Sequence, residues 1–403
     1  MRRQECFNHR LILTAICLLS FGAAVFVQAE ESPYDVGMKG YVAKIRPDFR
    51  IGAYYLISHR ANGETTNESN QKRADFITKH FNAITLSFAM DKTQPTADSW
   101  ALSERDVRLE YLKARSKQDF IAHLVIGWNI YNPDWFNNAS FTPAQLEDKL
   151  DERLKKLVGG YRDDLWTVQV VNEAFQKDGT WRIIKNDQWM NMGFETKNGY
   201  RYPKYLEVAF RKAREYGGDN MQLLYNENRN GMTTSIKAKP CLDLFTNFKA
   251  LGIPIDGVGI QLHCTIQDGK VMSENDASGP EMDWSKLNDY MNQLGKAGAV
   301  VQVTEFDVRL PSDPTPADYE LQADAYRNAL KTCMENPYCQ KFQIFYISDQ
   351  HTPGGFKSGI IDDNDELKPA FFAMMNYLIE RVGGLKNSGS DTHQKLQNVN
   401  APQ

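Results

Sequence analysis

The sequence predicts a single-domain α/β protein, a (β/α)8 barrel, on three observations. Runs of β-forming residues alternate with helix-like segments, the pattern of βα units around a parallel sheet. Eight such units occupy roughly residues 49–383 and leave no room for a second large domain. Two runs, Val168-Gln169-Val170-Val171-Asn172-Glu173 and Val300-Val301-Gln302-Val303-Thr304-Glu305, have the Val-rich character of strands buried on both faces, and each ends in a carboxylate. The exit of such a strand is where a parallel barrel gathers its reactive side chains.

Taken in order, Arg2, Arg3 and Arg10 precede the apolar run Leu11 to Val27, and Val27-Gln28-Ala29 reads as a small-residue cleavage site. Residues 1–29 are therefore expected to be a signal peptide, and the mature protein to be secreted (extracellular or periplasmic) without stable membrane association. Residues 30–48 read as a polar, irregular lead-in. Strands are expected at Arg50–Leu56, Ala83–Ser87, Ile121–Ile126, Thr167–Asn172, Gln222–Asn226, Gly257–Gln261, Val300–Thr304 and Phe342–Ser348. Helices are expected at Ser69–His80, Glu104–Ser116, Pro143–Val158, Pro203–Tyr216, Ser235–Leu251, Trp284–Ala297, Ala317–Glu335 and Pro369–Arg381. Pro143, Pro203 and Pro369 stand where a first helical turn tolerates proline. Residues 384–403 are polar and without pattern, so a disordered tail is expected there.

The formal net charge of −4 argues against a nucleic-acid surface. The seven histidines are scattered without metal-ligand spacing, and neither a P-loop nor a dinucleotide fingerprint is present, so no metal and no cofactor are expected. Two carboxylates on one barrel rim suit glycosidic bond cleavage, one as acid and one as nucleophile or base. Either glutamate alone also reads as a strand end in a surface ion pair. Gln261 and His263 are two apart and so share a strand face. Outside the leader, Cys241, Cys264, Cys333 and Cys339 allow three disulfide connectivities.

Five blocks occur in order: Val170-Val171-Asn172-Glu173-Ala174-Phe175, Tyr225-Asn226-Glu227, Ile255-Asp256-Gly257-Val258-Gly259-Ile260-Gln261-Leu262-His263, Val303-Thr304-Glu305-Phe306-Asp307 and Gly359-Ile360-Ile361-Asp362-Asp363-Asn364. From about residue 49 to 380 the chain thereby resembles glycoside hydrolase family 10, the retaining endo-β-1,4-xylanases. The resemblance implies Glu173 as general acid/base and Glu305 as nucleophile. It implies that His263 contacts the nucleophile and is held by Asp307, and that Asn172 bonds the sugar 2-hydroxyl. It further implies a Cys333–Cys339 bridge, leaving Cys241 and Cys264 unassigned, and a polysaccharide or oligosaccharide substrate, xylan or a decorated xylan. A monomer is expected. The competing readings are a hydrolase of another β-linked glycan and a carbohydrate-binding barrel without turnover.

The departures from the family pattern lie around the catalytic pair. The second-strand block, which in the family supplies Glu, Asn and Lys, reads Ser87-Phe88-Ala89-Met90-Asp91-Lys92, with Lys92 one place late. In the third, Trp128 stays, Asn129 replaces a histidine, and His123 stands one position off, a slip that turns a strand side chain to the other face. No Trp follows Trp284, and Phe345 takes the eighth-strand position. Trp128 and Asn129 are thus expected in an altered sugar-binding shell, and weakened or narrowed action on plain linear xylan is expected with them. The competing outcome is that Lys92, His123 and Phe356 move into the vacated places.

Overall fold

The computed structural model describes residues 32–274 and 279–387. The chain divides into two compact units, residues 1–35 and 36–403. In the first, the described part holds one 3-10 turn, Pro33–Asp35. The expected leader at 1–29 lies outside the described residues.

In the second unit the β-forming runs become strands β1 (Arg50–Tyr54), β2 (Ala83–Ser87), β3 (Asp119–His123), β4 (Leu165–Asn172), β5 (Phe194–Lys197), β6 (Tyr200–Pro203), β7 (Gln222–Glu227), β8 (Gly257–Gln267), β9 (Lys270–Met272), β10 (Val300–Arg309) and β11 (Cys339–Ile344). Eight pair in parallel in the order β1-β2-β3-β4-β7-β8-β10-β11, and β11 returns to β1, closing a barrel. Helices cross between successive strands, so the architecture is the expected (β/α)8 barrel. Outward-facing Val168, Val170, Val301 and Val303 are buried, as parallel strands under helices require.

The barrel interior is polar. Gln302 of β10 donates through Nε2 to Thr167 Oγ1 of β4 (3.3 Å) and to Gln222 Oε1 of β7 (2.9 Å); β4 and β10 are not neighbours, so this bond crosses the lumen. Thr85 Oγ1 and Lys341 Nζ donate to Gln343 Oε1 at 2.6 and 2.8 Å. Gln343 reaches Thr85 past β1 because residue 52 is glycine; a Cβ there would lie 3.2 Å from the Gln343 side chain.

Several elements differ from the expectations. The lead-in contains a helix, Met38–Ile45, because Met38, Tyr41 and Val42 recur at helical spacing and are buried on one face. The helix expected from Pro203 begins at Lys204, since Pro203 closes the β5–β6 hairpin. That hairpin turns on Asn198-Gly199 (φ 50° and 78°), and the β8–β9 hairpin turns on Asp268-Gly269 (φ 51° and 69°). The last helix, Pro369–Asn387, passes the boundary expected at 383, and residues 388–403 lie outside the described part. Cys333 and Cys339 are disulfide-bonded, tying the helix Pro316–Glu335 to β11 with Cα atoms 5.4 Å apart. Cys241 and Cys264 are free and buried.

Candidate active site

β4 and β10 deliver their glutamates through a shared irregularity. Each strand has a register shift just before its carboxylate, between Gln169 and Val171 on β4 and between Val303 and Glu305 on β10. An extra residue in one strand re-aims the side chains beyond it. Glu173 adds a second device, a left-handed backbone at φ 57°, sparsely populated for a residue with a Cβ.

Glu305 is buried and surrounded by donors. His263 Nε2 lies 3.1 Å from Oε2, Asn226 Nδ2 donates to Oε1 at 2.8 Å, and His123 Nδ1 stands 3.8 Å from Oε1. Burial alone would favour the neutral acid. The charges of His123 and His263, with the hydrogen bonds from His263 and Asn226, outweigh it and hold the carboxyl below its ordinary value. His263 bonds Asp307 through Nδ1. Burial would strip the His263 proton, but the Asp307 carboxylate, helped by Glu305, raises the imidazole to about 10. The His263 imidazole is thus held between two carboxyl groups, those of Glu305 and Asp307.

Glu173 is served differently. Trp128 Nε1 donates to Oε2 at 2.9 Å and Tyr131 OH to Oε1 at 3.4 Å, both from neutral groups. Beneath it, Ala174 N donates to Tyr225 OH at 3.0 Å, and Phe175 N donates to Glu227 Oε2 at 3.1 Å. Glu227 is fully buried and paired with Lys237 at 2.8 Å. Burial raises the Glu227 carboxyl; Lys237 opposes this and the charge of Glu173 adds to it.

Asn172, next to Glu173 in the chain, belongs to the Glu305 network. Its Oδ1 accepts from Asn226 Nδ2 (2.8 Å) and Gln261 Nε2 (3.0 Å), while its buried Nδ2 has no hydrogen-bond partner among the described residues. An amide fixed at one end with a spare donor at the other is prepared to bond a ligand hydroxyl.

Among known proteins, residues 51–377 match the family described as Glycosyl hydrolase family 10. The chain belongs to that family. Endo-1,4-beta-xylanase 2 of Aureobasidium pullulans is 27% identical over 315 residues, covering 76% of this chain and 80% of that one. Endo-1,4-beta-xylanase B of Thermotoga neapolitana is 25% identical over 322 residues, covering 77% and 85%. The solved structure of native xylanase 10B from Thermotoga maritima superposes with a TM-score of 0.73 at 21% identity, over 87% of this chain and 100% of that chain, a likeness of fold. The chain is thus a family 10 glycoside hydrolase.

The structure joins Asn172, Gln261, Glu305, His263 and Asp307 through Asn226, and Glu173, held by Trp128, ties to them through its backbone N–H on Asn226 O at 2.9 Å. Asn129 opens a 3-10 turn, Asn129–Tyr131, beside Trp128, and its Oδ1 is buried without a partner among the described residues. His123 corrects the expectation that a one-place slip turns it away. It faces the lumen beside Glu305 because Leu124, at φ 48°, absorbs the extra residue before Trp128. Lys92 does not join the cluster; it is exposed and paired with Asp91 at 2.8 Å. Phe356 lies under the Arg309 guanidinium at 3.8 Å. Phe345 packs edge-on against His263, ring centroids 5.3 Å apart, and also against Tyr54 at 4.8 Å. Sequence reasoning passed over Asn226 and Tyr131. Asn226 had a signal, a carboxamide at a strand end like Asn172; Tyr131 had none outside its turn.

Proposed function

We propose that the chain is a secreted retaining endo-β-1,4-glycosidase acting on xylan or a decorated xylan, with Glu173 as general acid/base and Glu305 as nucleophile. The observation that carries the division of labour is the asymmetry of donors. Glu305 is met by an imidazole and an amide that favour its anion, whereas among the described residues the Glu173 carboxyl accepts from an indole and a phenol. A nucleophile must stay ionised; an acid must be able to hold and release a proton. In the first step Glu305 attacks the anomeric carbon while Glu173 protonates the departing glycosidic oxygen. In the second, Glu173 takes a proton from water, which displaces Glu305 from the sugar. The spare Nδ2 of Asn172 suits the 2-hydroxyl, where a contact strengthens as positive charge develops on the sugar. The relatives described as endo-1,4-beta-xylanases support the substrate class.

Export follows from the same reading. The bridged Cys333–Cys339 pair fits an oxidising compartment, and N-terminal sequencing of the mature protein should begin at Glu30. The catalytic assignment is tested by proton NMR of the first product formed from a β-linked xylo-oligosaccharide. The β-anomer is expected; the α-anomer would mean inversion and remove the nucleophile from Glu305.

A further inference from the structure

The acid/base carboxylate sits on a strained residue, and one side chain outside the cluster secures that strain. Beyond Glu173 the chain leaves the barrel ladder: Glu173 N still donates to Asn226 O at 2.9 Å, but with φ at 57° its carbonyl has left strand geometry. Arg182 captures that carbonyl through Nε at 2.8 Å. Its Nη2 donates to Phe175 O at 2.7 Å, and its own backbone N–H donates to Ala174 O at 2.8 Å. Three consecutive carbonyls, those of Glu173, Ala174 and Phe175, thus accept from one residue. The guanidinium also lies over the Trp128 ring, 4.1 Å from its centroid, and Trp128 is the indole that donates to Glu173 Oε2. Arginine suits this place because its planar fork serves two backbone acceptors while its face stacks on an aromatic ring, which an ammonium cannot do together.

We infer that Arg182 is a positioning residue for the general acid: it fixes the left-handed backbone of Glu173 and, through Trp128, the direction of its carboxyl. The inference rests on the reading of Glu173 as acid/base. The Arg182 side chain bonds backbone carbonyls and stacks on Trp128 rather than meeting the carboxyl oxygens of Glu173, so its effect is expected to pass through proton delivery to the leaving group.

The test is leaving-group dependence. Aryl β-xylobiosides of 2,4-dinitrophenol, which departs unaided, and of unsubstituted phenol, which needs the proton, are compared for wild type, Arg182→Lys, Trp128→Phe and Glu173→Ala. Arg182→Lys keeps the charge on a slightly shorter stem but cannot fork onto two carbonyls. Its kcat/KM on the phenyl substrate should fall about 100-fold and on the dinitrophenyl substrate no more than about 5-fold, within the range that general acid catalysis contributes. Trp128→Phe, which removes the indole donor and shrinks the ring under Arg182, should also lose more on the phenyl than on the dinitrophenyl substrate. Equal losses on both substrates for Arg182→Lys would overturn the inference, since a merely structural role lowers both alike. If Arg182→Lys does not fold, Arg182→Met, which keeps an apolar stem on Trp128, takes its place. Glu173→Ala separates the two claims. If it alone shows the leaving-group signature, the Arg182 inference fails and the acid/base reading stands; if it loses both substrates equally, the acid/base reading fails and the inference with it.

Discussion

Replacing Asn226 by alanine tests how the nucleophile is kept ionised. The Asn226 amide donates to both Glu305 Oε1 and Asn172 Oδ1 at 2.8 Å, and its Oδ1 accepts from Thr304 Oγ1 at 2.6 Å. Two of its three partners keep a bond in the variant: Asn172 Oδ1 still accepts from Gln261 at 3.0 Å, and the Thr304 hydroxyl can turn its one hydrogen to Ile260 O, 3.1 Å away. The loss therefore concentrates on Glu305. A hydrogen bond to a charged group contributes about 1.5–3 kcal/mol. Nearly all of it favours the anion, so the carboxyl should rise when this bond is lost. The sign follows from linkage. Glu305 is held below its ordinary value in the fold, so it contributes stability above its unfolded value that is lost as pH falls through the folded one. Raising the folded value shortens that window and moves the acid limb of kcat/KM to higher pH. The assay is kcat/KM against pH on a soluble xylo-oligosaccharide, with urea unfolding at pH 5 and 7. An unchanged acid limb in a folded Asn226→Ala protein would refute the reasoning.

Three further outcomes are expected. Cys333→Ser should lower stability by about 2 kcal/mol, the chain-entropy value for so short a loop, and reductant should reproduce the loss in the wild type on urea unfolding; identical midpoints would contradict it. Burial lowers the Lys341 ammonium to about 7, against the pull of Glu305. Above that value, up to the unfolded lysine value, the unfolded chain holds a proton that the native state has released, so stability should climb with pH in this window. Lys341→Met should flatten the climb, since Thr85 still donates to Gln343 Oε1; equal slopes in the two proteins would count against it. Steady-state kinetics on linear xylo-oligosaccharides should give kcat/KM below about 10⁴ M⁻¹s⁻¹ with higher values on a decorated xylan, because Phe345 replaces a larger platform and Lys92 is engaged by Asp91 outside the cluster; efficient cleavage of the linear substrate would defeat this.

Much of the barrel was legible because its strands carry simple signals. Ala83–Ser87 falls where its β-branched run places it, and the Val-rich runs before Glu173 and Glu305 are β4 and the first half of β10. The hairpins were also written in the sequence, as Asn198-Gly199 and Asp268-Gly269, but short strands between polar residues read as loop when the search is for βα units. His123 shows a limit of register arithmetic. Counting back from Trp128 assumes an unbroken strand, and the left-handed Leu124 breaks it. Glu173, Glu305, Gln261 and His263 could be found by strand-end logic, and Asn226 by the same rule. Arg182 could not, because its place depends on where the carbonyls of Glu173 and Phe175 point after a left-handed turn, which no residue pattern encodes.

The central claim, that Glu305 forms a covalent bond to the sugar while Glu173 manages protons, is tested most directly by trapping the intermediate. Incubation with 2,4-dinitrophenyl 2-deoxy-2-fluoro-β-xylobioside, followed by peptide mass spectrometry, should find one equivalent of fluorosugar on the peptide containing Glu305, and none in Glu305→Gln. A label on Glu173 or on another carboxylate, or turnover of xylo-oligosaccharides by Glu305→Gln at the wild-type rate, would contradict the account.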